Sequence, residues 1–136
     1  MVNQWAEIGV KVTVKPVPSA VYNEQWLTIP FGFSRWGHRP LGFSVMGLSL
    51  RSGAPWNETD YSNPKFDELI AKAESTYDLE ARRAIMKEIA ELLQADGPFV
   101  QPLWGKIMTV YSDKVEGFQM HPTGFIFAEQ LALKSV

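Results

Sequence analysis

The chain has 136 residues, room for one domain and too little for two comfortable ones. With 15 acidic and 13 basic side chains its net charge is −2, and 46% hydrophobic against 21% charged residues describes a chain able to bury a core rather than a disordered one. That balance lacks the basic excess that nucleic-acid backbones demand, no apolar run reaches the roughly 18 to 20 residues of a membrane span, and the absence of cysteine removes disulfides, thiolate metal sites and cysteine nucleophiles.

At the start, Trp5 and Ile8 are three apart and Gly9 follows as a left-handed cap, so a helix is expected to end there. Hardly a turn of it precedes Trp5, which predicts that earlier sequence is missing. The first residues carry neither a basic nor an apolar leader region, so an export signal is expected outside this chain. Val10, Val12 and Val14 alternate with Lys11, Thr13 and Lys15, the period of a half-buried strand. Pro16 and Pro18 stop it, and Ser19 is placed to cap a helix over residues 20–27. Residues 31–36 read as a second strand. Residues 37–63, rich in Gly, Pro and Ser and holding Trp56, read as one long functional loop.

Two helices are strongly signalled. Asn63 caps the first, Pro64 takes its first position, and Phe66, Leu69, Ile70, Ala73 and Tyr77 recur at helical spacing, with Glu68 four residues ahead of Lys72. Asp78 caps the second, whose stripe is Ile85, Ile89, Leu92 and Leu93 and whose end is Gly97-Pro98. Arg82, Arg83 and Lys87 fall on its solvated face. Residues 99–103, 107–111, 115–118 and 125–133 read as further strands, giving an α/β or α+β arrangement.

Catalytic machinery is not evident. The segment from Gly32 to Trp36 resembles a nucleophile elbow but lacks the second glycine such a turn needs. His38 and His121 are far apart, with no carboxylate at metal-ligand spacing, and no Gly-rich phosphate loop follows a strand. Neither cofactor nor metal is therefore expected.

The ordered series QWAEIGVKV at residues 4–12, WG at 36–37, YSNPKFDEL at 61–69, DLEARR at 78–83 and ADGPFVQPLW at 95–104 resembles the C-terminal part of the family 5 extracytoplasmic solute-binding proteins. These are the oligopeptide, dipeptide and nickel-type receptors of ABC importers. The resemblance implies an α/β fold, namely the C-terminal portion of a type II periplasmic-binding-protein fold with two lobes that is incomplete without preceding sequence. Residues 1–103 would belong to the C-terminal lobe, and residues 104–136 would cross back to a first lobe. It also implies a non-enzymatic, cofactor-free receptor, periplasmic or membrane-anchored outside the cytoplasm, with a small-molecule or peptide solute and an ABC permease as partners. Half a clamp would expose apolar surface, so self-association is a further expectation.

Peptide-binding relatives pair a Trp with an Asp three residues later, the indole forming a wall and the carboxylate taking the peptide's amino terminus. Here the Trp matches Trp36, and the later position is Arg39, a reversed charge that favours a solute with an anionic group. Arg39 could instead face solvent or pair with Glu58 or Asp60, and a loop shift of a residue or two would bring either acid into the missing carboxylate's role. The ligand-binding candidates are thus Trp36, Gly37, His38, Arg39, Trp56 and Asn57, although Asn57, as a turn residue, is slightly better suited to bonding its own backbone. Trp26 and Trp104 read as packing residues. A free-standing interaction domain working through exposed Trp and Phe side chains is the alternative.

Overall fold

A computed structural model describes residues 1–134. They form two compact units, Met1–Gly32 and a larger one beginning at Phe33.

In the first unit α1 (Val2–Glu7) ends as the sequence predicts. Gly9 adopts φ 83°, which lets its own amide reach the Ala6 carbonyl at 3.0 Å while the Val10 amide reaches Trp5 at 2.9 Å. Residues 10–14 do not form the expected strand, and Val10 and Val14 are exposed. Alternation supplies one apolar face, but a strand also needs a hydrogen-bonded neighbour, and this unit contributes none. The same reason removes the strand expected over residues 31–36. Helix α2 (Ser19–Gln25) begins one residue early; the Pro18 carbonyl takes the Tyr22 amide at 3.0 Å, and the Ser19 side chain makes no cap bond.

The second unit is built on three helices, α3 (Gly42–Ser49), α4 (Pro64–Ser75) and α5 (Leu79–Asp96). The Asn63 side chain accepts from the Lys65 and Phe66 amides at 2.9 and 3.3 Å, and Asp78 accepts from Ala81 at 2.8 Å, so both predicted caps are made. Gly97 closes α5 at φ 59°. The core is Leu50, Phe66, Leu69, Ile70, Ala73, Ile85, Ile89 and Leu93, with Phe43, Met46 and Met86 packed against it. Burying each of the larger side chains contributes about 1.5 to 3 kcal/mol.

Three side chains depart from the sequence reading. Tyr77 lies beyond the end of α4 and is 94% exposed, so the stripe stops at Ala73. Glu68 bonds Lys65 at 3.2 Å, one turn back, rather than Lys72. Arg82 is only half-exposed: its guanidinium lies 5.9 Å from the Phe43 ring centre and donates to the Thr76 carbonyl at 3.3 Å.

Within the loop expected over residues 37–63 the structure places α3, apolar on every side and without a side-chain cap. Residues 97–111 hold no helix or strand, so the strands expected over 99–103 and 107–111 are absent among the described residues. Of the last two predicted strands only short pieces form: β1 (Val115–Glu116) pairs antiparallel with β2 (Ala132–Leu133), Val115 opposite Leu133. The 3-10 turn Ala128–Gln130 leads into β2. The fold is therefore helix-rich with one small sheet. No helix among the described residues is long and apolar enough to cross a membrane.

Candidate ligand-binding site

The long loop is held down at both ends of its irregular part. Its first anchor is Arg51, which pairs with Glu74 of α4 at 2.8 Å, beside the Ser52 amide, which donates to Asp67 at 3.0 Å. Its second is Tyr61. That hydroxyl donates to the Asp96 carboxylate at 2.5 Å, the ring meets Phe66 edge-on at 5.5 Å, and the Asn63 amide donates to the same Asp96 oxygen at 2.8 Å. Partial burial, then the bond to Asp96 and its charge, push the Tyr61 hydroxyl up to about 12. The Tyr61 and Asn63 donors hold the Asp96 carboxyl below its ordinary value.

Between those anchors the loop brings two of the predicted aromatic residues together. The rings of Trp36 and Trp56 are 6.0 Å apart and inclined at 53°. Trp56 is 44% exposed and Trp36 half-buried. Trp36 Nε1 donates to Glu58 at 3.0 Å, and the Ser34 hydroxyl donates to the other Glu58 oxygen. Sequence reasoning reached Glu58 as a possible partner of Arg39 or a substitute for the missing carboxylate, not as a partner of Trp36, which lies twenty-two positions away with no local periodicity linking them.

The remaining candidates are placed differently. Gly37, His38 and Arg39 are exposed, and Arg39 donates to the His38 carbonyl at 3.2 Å. None of the described ion pairs joins Arg39 to Glu58 or Asp60. Asn57 is committed to its own loop, donating to the carbonyls of Tyr61 at 2.8 Å and Arg51 at 3.3 Å and accepting from the Thr59 hydroxyl at 3.0 Å. Trp104, expected to pack, is 89% exposed. It borders a separate apolar groove of about 340 Å³ between α5 and residues 99–104, lined by Met46, Leu93 and Phe99, and none of the six candidates reaches it. No group of three or more His, Asp or Glu side chains among the described residues could hold a metal ion.

A carboxylate bonded to one indole of an aromatic pair can take a cationic or amphipathic small molecule: the rings offer apolar area and a negative π face, the carboxylate an acceptor. The chain is 25% identical over 121 residues to the dipeptide-binding protein DppE of Bacillus subtilis (strain 168). That match takes in 88% of this chain and 22% of DppE, so the chain spans about a fifth of that relative's length. No family model matches the sequence.

Proposed function

We propose that the chain is the C-terminal-lobe part of a two-lobed extracytoplasmic receptor, periplasmic or membrane-anchored, that captures a peptide-like or other small polar solute and delivers it to an ABC permease without chemical change. The observation carrying this reading is the similarity to a dipeptide-binding protein along 88% of the chain. The loop geometry supports it. Glu58 accepts two hydrogen bonds from neutral donors, belongs to none of the described ion pairs, and lies against an indole that forms one side of an aromatic pair.

A carboxylate without a cation favours a ligand that brings one, and a hydrogen bond to a charged group is worth about 1.5 to 3 kcal/mol. The exposed Arg39 guanidinium offers the opposite charge, so the solute in this reading is zwitterionic, with its amino group at Glu58 and an anionic group toward Arg39. Such a receptor closes its lobes on the ligand, so one lobe alone lacks most closing contacts and binds weakly, roughly in the millimolar range or about −4 kcal/mol.

The test is a titration of the 136-residue chain with alanyl-alanine, N-acetyl-alanyl-alanine and glucose, read on the Trp36 Nε1–H resonance. The free dipeptide shifts the resonance with weak affinity, and acetylation removes the effect. A shift by glucose alone, or submicromolar affinity for the isolated chain, would overturn the proposal. The interaction-domain reading draws on one observation, the exposure of Trp104, Met108 and Val110 at 89%, 86% and 97%. Sedimentation of the chain as a defined dimer with no response to any solute would favour it.

A further inference from the structure

The segment 57–61 is closed on itself by side-chain bonds. Asn57 donates to the Tyr61 carbonyl, Thr59 donates to Asn57, and the Tyr61 amide donates to the Thr59 hydroxyl at 3.3 Å. The ring of bonds contains Asp60 at φ 52°, the one residue other than glycine in the left-handed region among those described. Few residues other than glycine adopt that conformation, Asp among the more tolerant, and here the surrounding bonds hold it. Bonds inside the loop travel with it and cannot fix its place on the helices. At this end of the loop that task falls to Tyr61, whose ring rests on Phe66 and whose hydroxyl is held at 2.5 Å by the last residue of α5.

We infer that Tyr61 and Asp96 are positioning residues for the ligand site: their hydrogen bond sets where the Trp56 ring and the Glu58 carboxylate stand relative to Trp36. The assignment rests on the reading of Trp36, Trp56 and Glu58 as a ligand-facing site, which is tested separately below. The chain of connection is short. Trp56 and Glu58 flank Asn57, Asn57 bonds the Tyr61 carbonyl, and Tyr61 ties the whole segment to α5, whose core side chains Ile85, Ile89 and Leu93 are among the most buried in the molecule. Asp96 thereby acts at the site without touching it. Asp96→Ala deletes the acceptor for both Tyr61 and Asn63 at an exposed helix end, where truncation leaves the core intact.

The experiment uses the complete 136-residue chain and the variants Tyr61→Phe, Asp96→Ala and Trp56→Phe. The close indole pair gives an exciton couplet in far-ultraviolet circular dichroism, and Trp56→Phe abolishes it and defines the baseline. Tyr61→Phe, which keeps the ring on Phe66, and Asp96→Ala both collapse the couplet toward that baseline while the helix signal is retained. A couplet that survives in both variants, with only the melting temperature lowered, overturns the assignment and leaves Tyr61 a stabilising residue alone. Alanyl-alanine titration of Trp36 Nε1–H separates this from failure of the site itself. No response in the unmodified chain sinks the ligand reading, and the couplet still decides the positioning; a response preserved in Tyr61→Phe and Asp96→Ala counts against positioning.

Discussion

Replacing Ile89 by Ala and, separately, Tyr77 by Ala discriminates between a hydrophobic stripe read by spacing and the core the structure contains. Ile89 is wholly buried between the helices, whereas Tyr77, at a continuing stripe position by sequence, is 94% exposed. Truncating a fully buried Ile to Ala loses the transfer free energy of its methyl and methylene groups and leaves a cavity, about 2 to 5 kcal/mol together, and Ile89→Val should lose about 0.5 to 1.5. Tyr77→Ala removes no buried contact and should change stability by less than about 0.5 kcal/mol. With a mid-range loss of about 3.5 kcal/mol and a urea slope of about 2 kcal/mol/M, Ile89→Ala lowers the unfolding midpoint by roughly 2 M and Tyr77→Ala leaves it in place. The assay is urea titration followed by helical circular dichroism, with the slope checked for constancy between variants. Equal shifts for Ile89→Ala and Tyr77→Ala would refute the burial argument and restore Tyr77 to the stripe.

Asn63→Ala should destabilise by about 0.5 to 2 kcal/mol, because it removes the α4 cap together with a donor to Asp96, and thermal unfolding of the variant measures it. Gly117 stands at φ 78° and a Cβ built there would lie 1.8 Å from the Gln130 carbonyl oxygen, so Gly117→Ala should break the β1 and β2 pairing and expose the Lys134 amide, bonded to Lys114 at 2.9 Å, to fast hydrogen exchange. The Asp96 carboxyl is held below its unfolded value by Tyr61 and Asn63. The stability it contributes is therefore present above the ordinary carboxylate range and is lost as pH falls through the depressed folded value. The acid-side fall in melting temperature should be shallower in Asp96→Ala than in the parent. Glu58→Gln keeps the shape beside Trp36 but removes the charge, and should weaken an amino-bearing ligand about tenfold or more, read by the Trp36 Nε1–H titration, with little change in melting temperature.

What the sequence made legible is the part whose signals are local. Helix α5 combines a capping side chain, an apolar stripe and a terminator, namely Asp78, the row from Ile85 to Leu93, and Gly97, whereas α4 has the cap and the stripe without a terminator, so the stripe read from spacing overran its end to Tyr77. Helix α3 has none of these. Apolar residues surround it on every side, Gly42 and Gly47 lower its propensity, and it forms because one face meets α4. The segments 10–14 and 107–111 show the converse: alternation at 10–14 and β-prone residues at 107–111 were present in the sequence, but pairing depends on a neighbour that no window of residues reveals. At the site, Trp56 was recognisable as an aromatic residue in a long loop and Trp36 through the family resemblance, at the end of an expected strand. The carboxylate that accepts from Trp36 was not, because Glu58 meets it across twenty-two positions and no local pattern links the two. Asn57 read slightly more as a turn residue than as a ligand contact, and the bonds to Arg51, Thr59 and Tyr61 spend its amide on the turn.

The buried cluster from Leu50 to Leu93 is drawn from one uninterrupted stretch of chain. Contacts between near neighbours along a polypeptide close small loops, and topologies dominated by them reach the native state in microseconds to milliseconds. During synthesis this stretch can therefore condense as soon as α5 has left the ribosome, before β1 and β2 exist, and serve as the nucleus against which later-made segments are sorted.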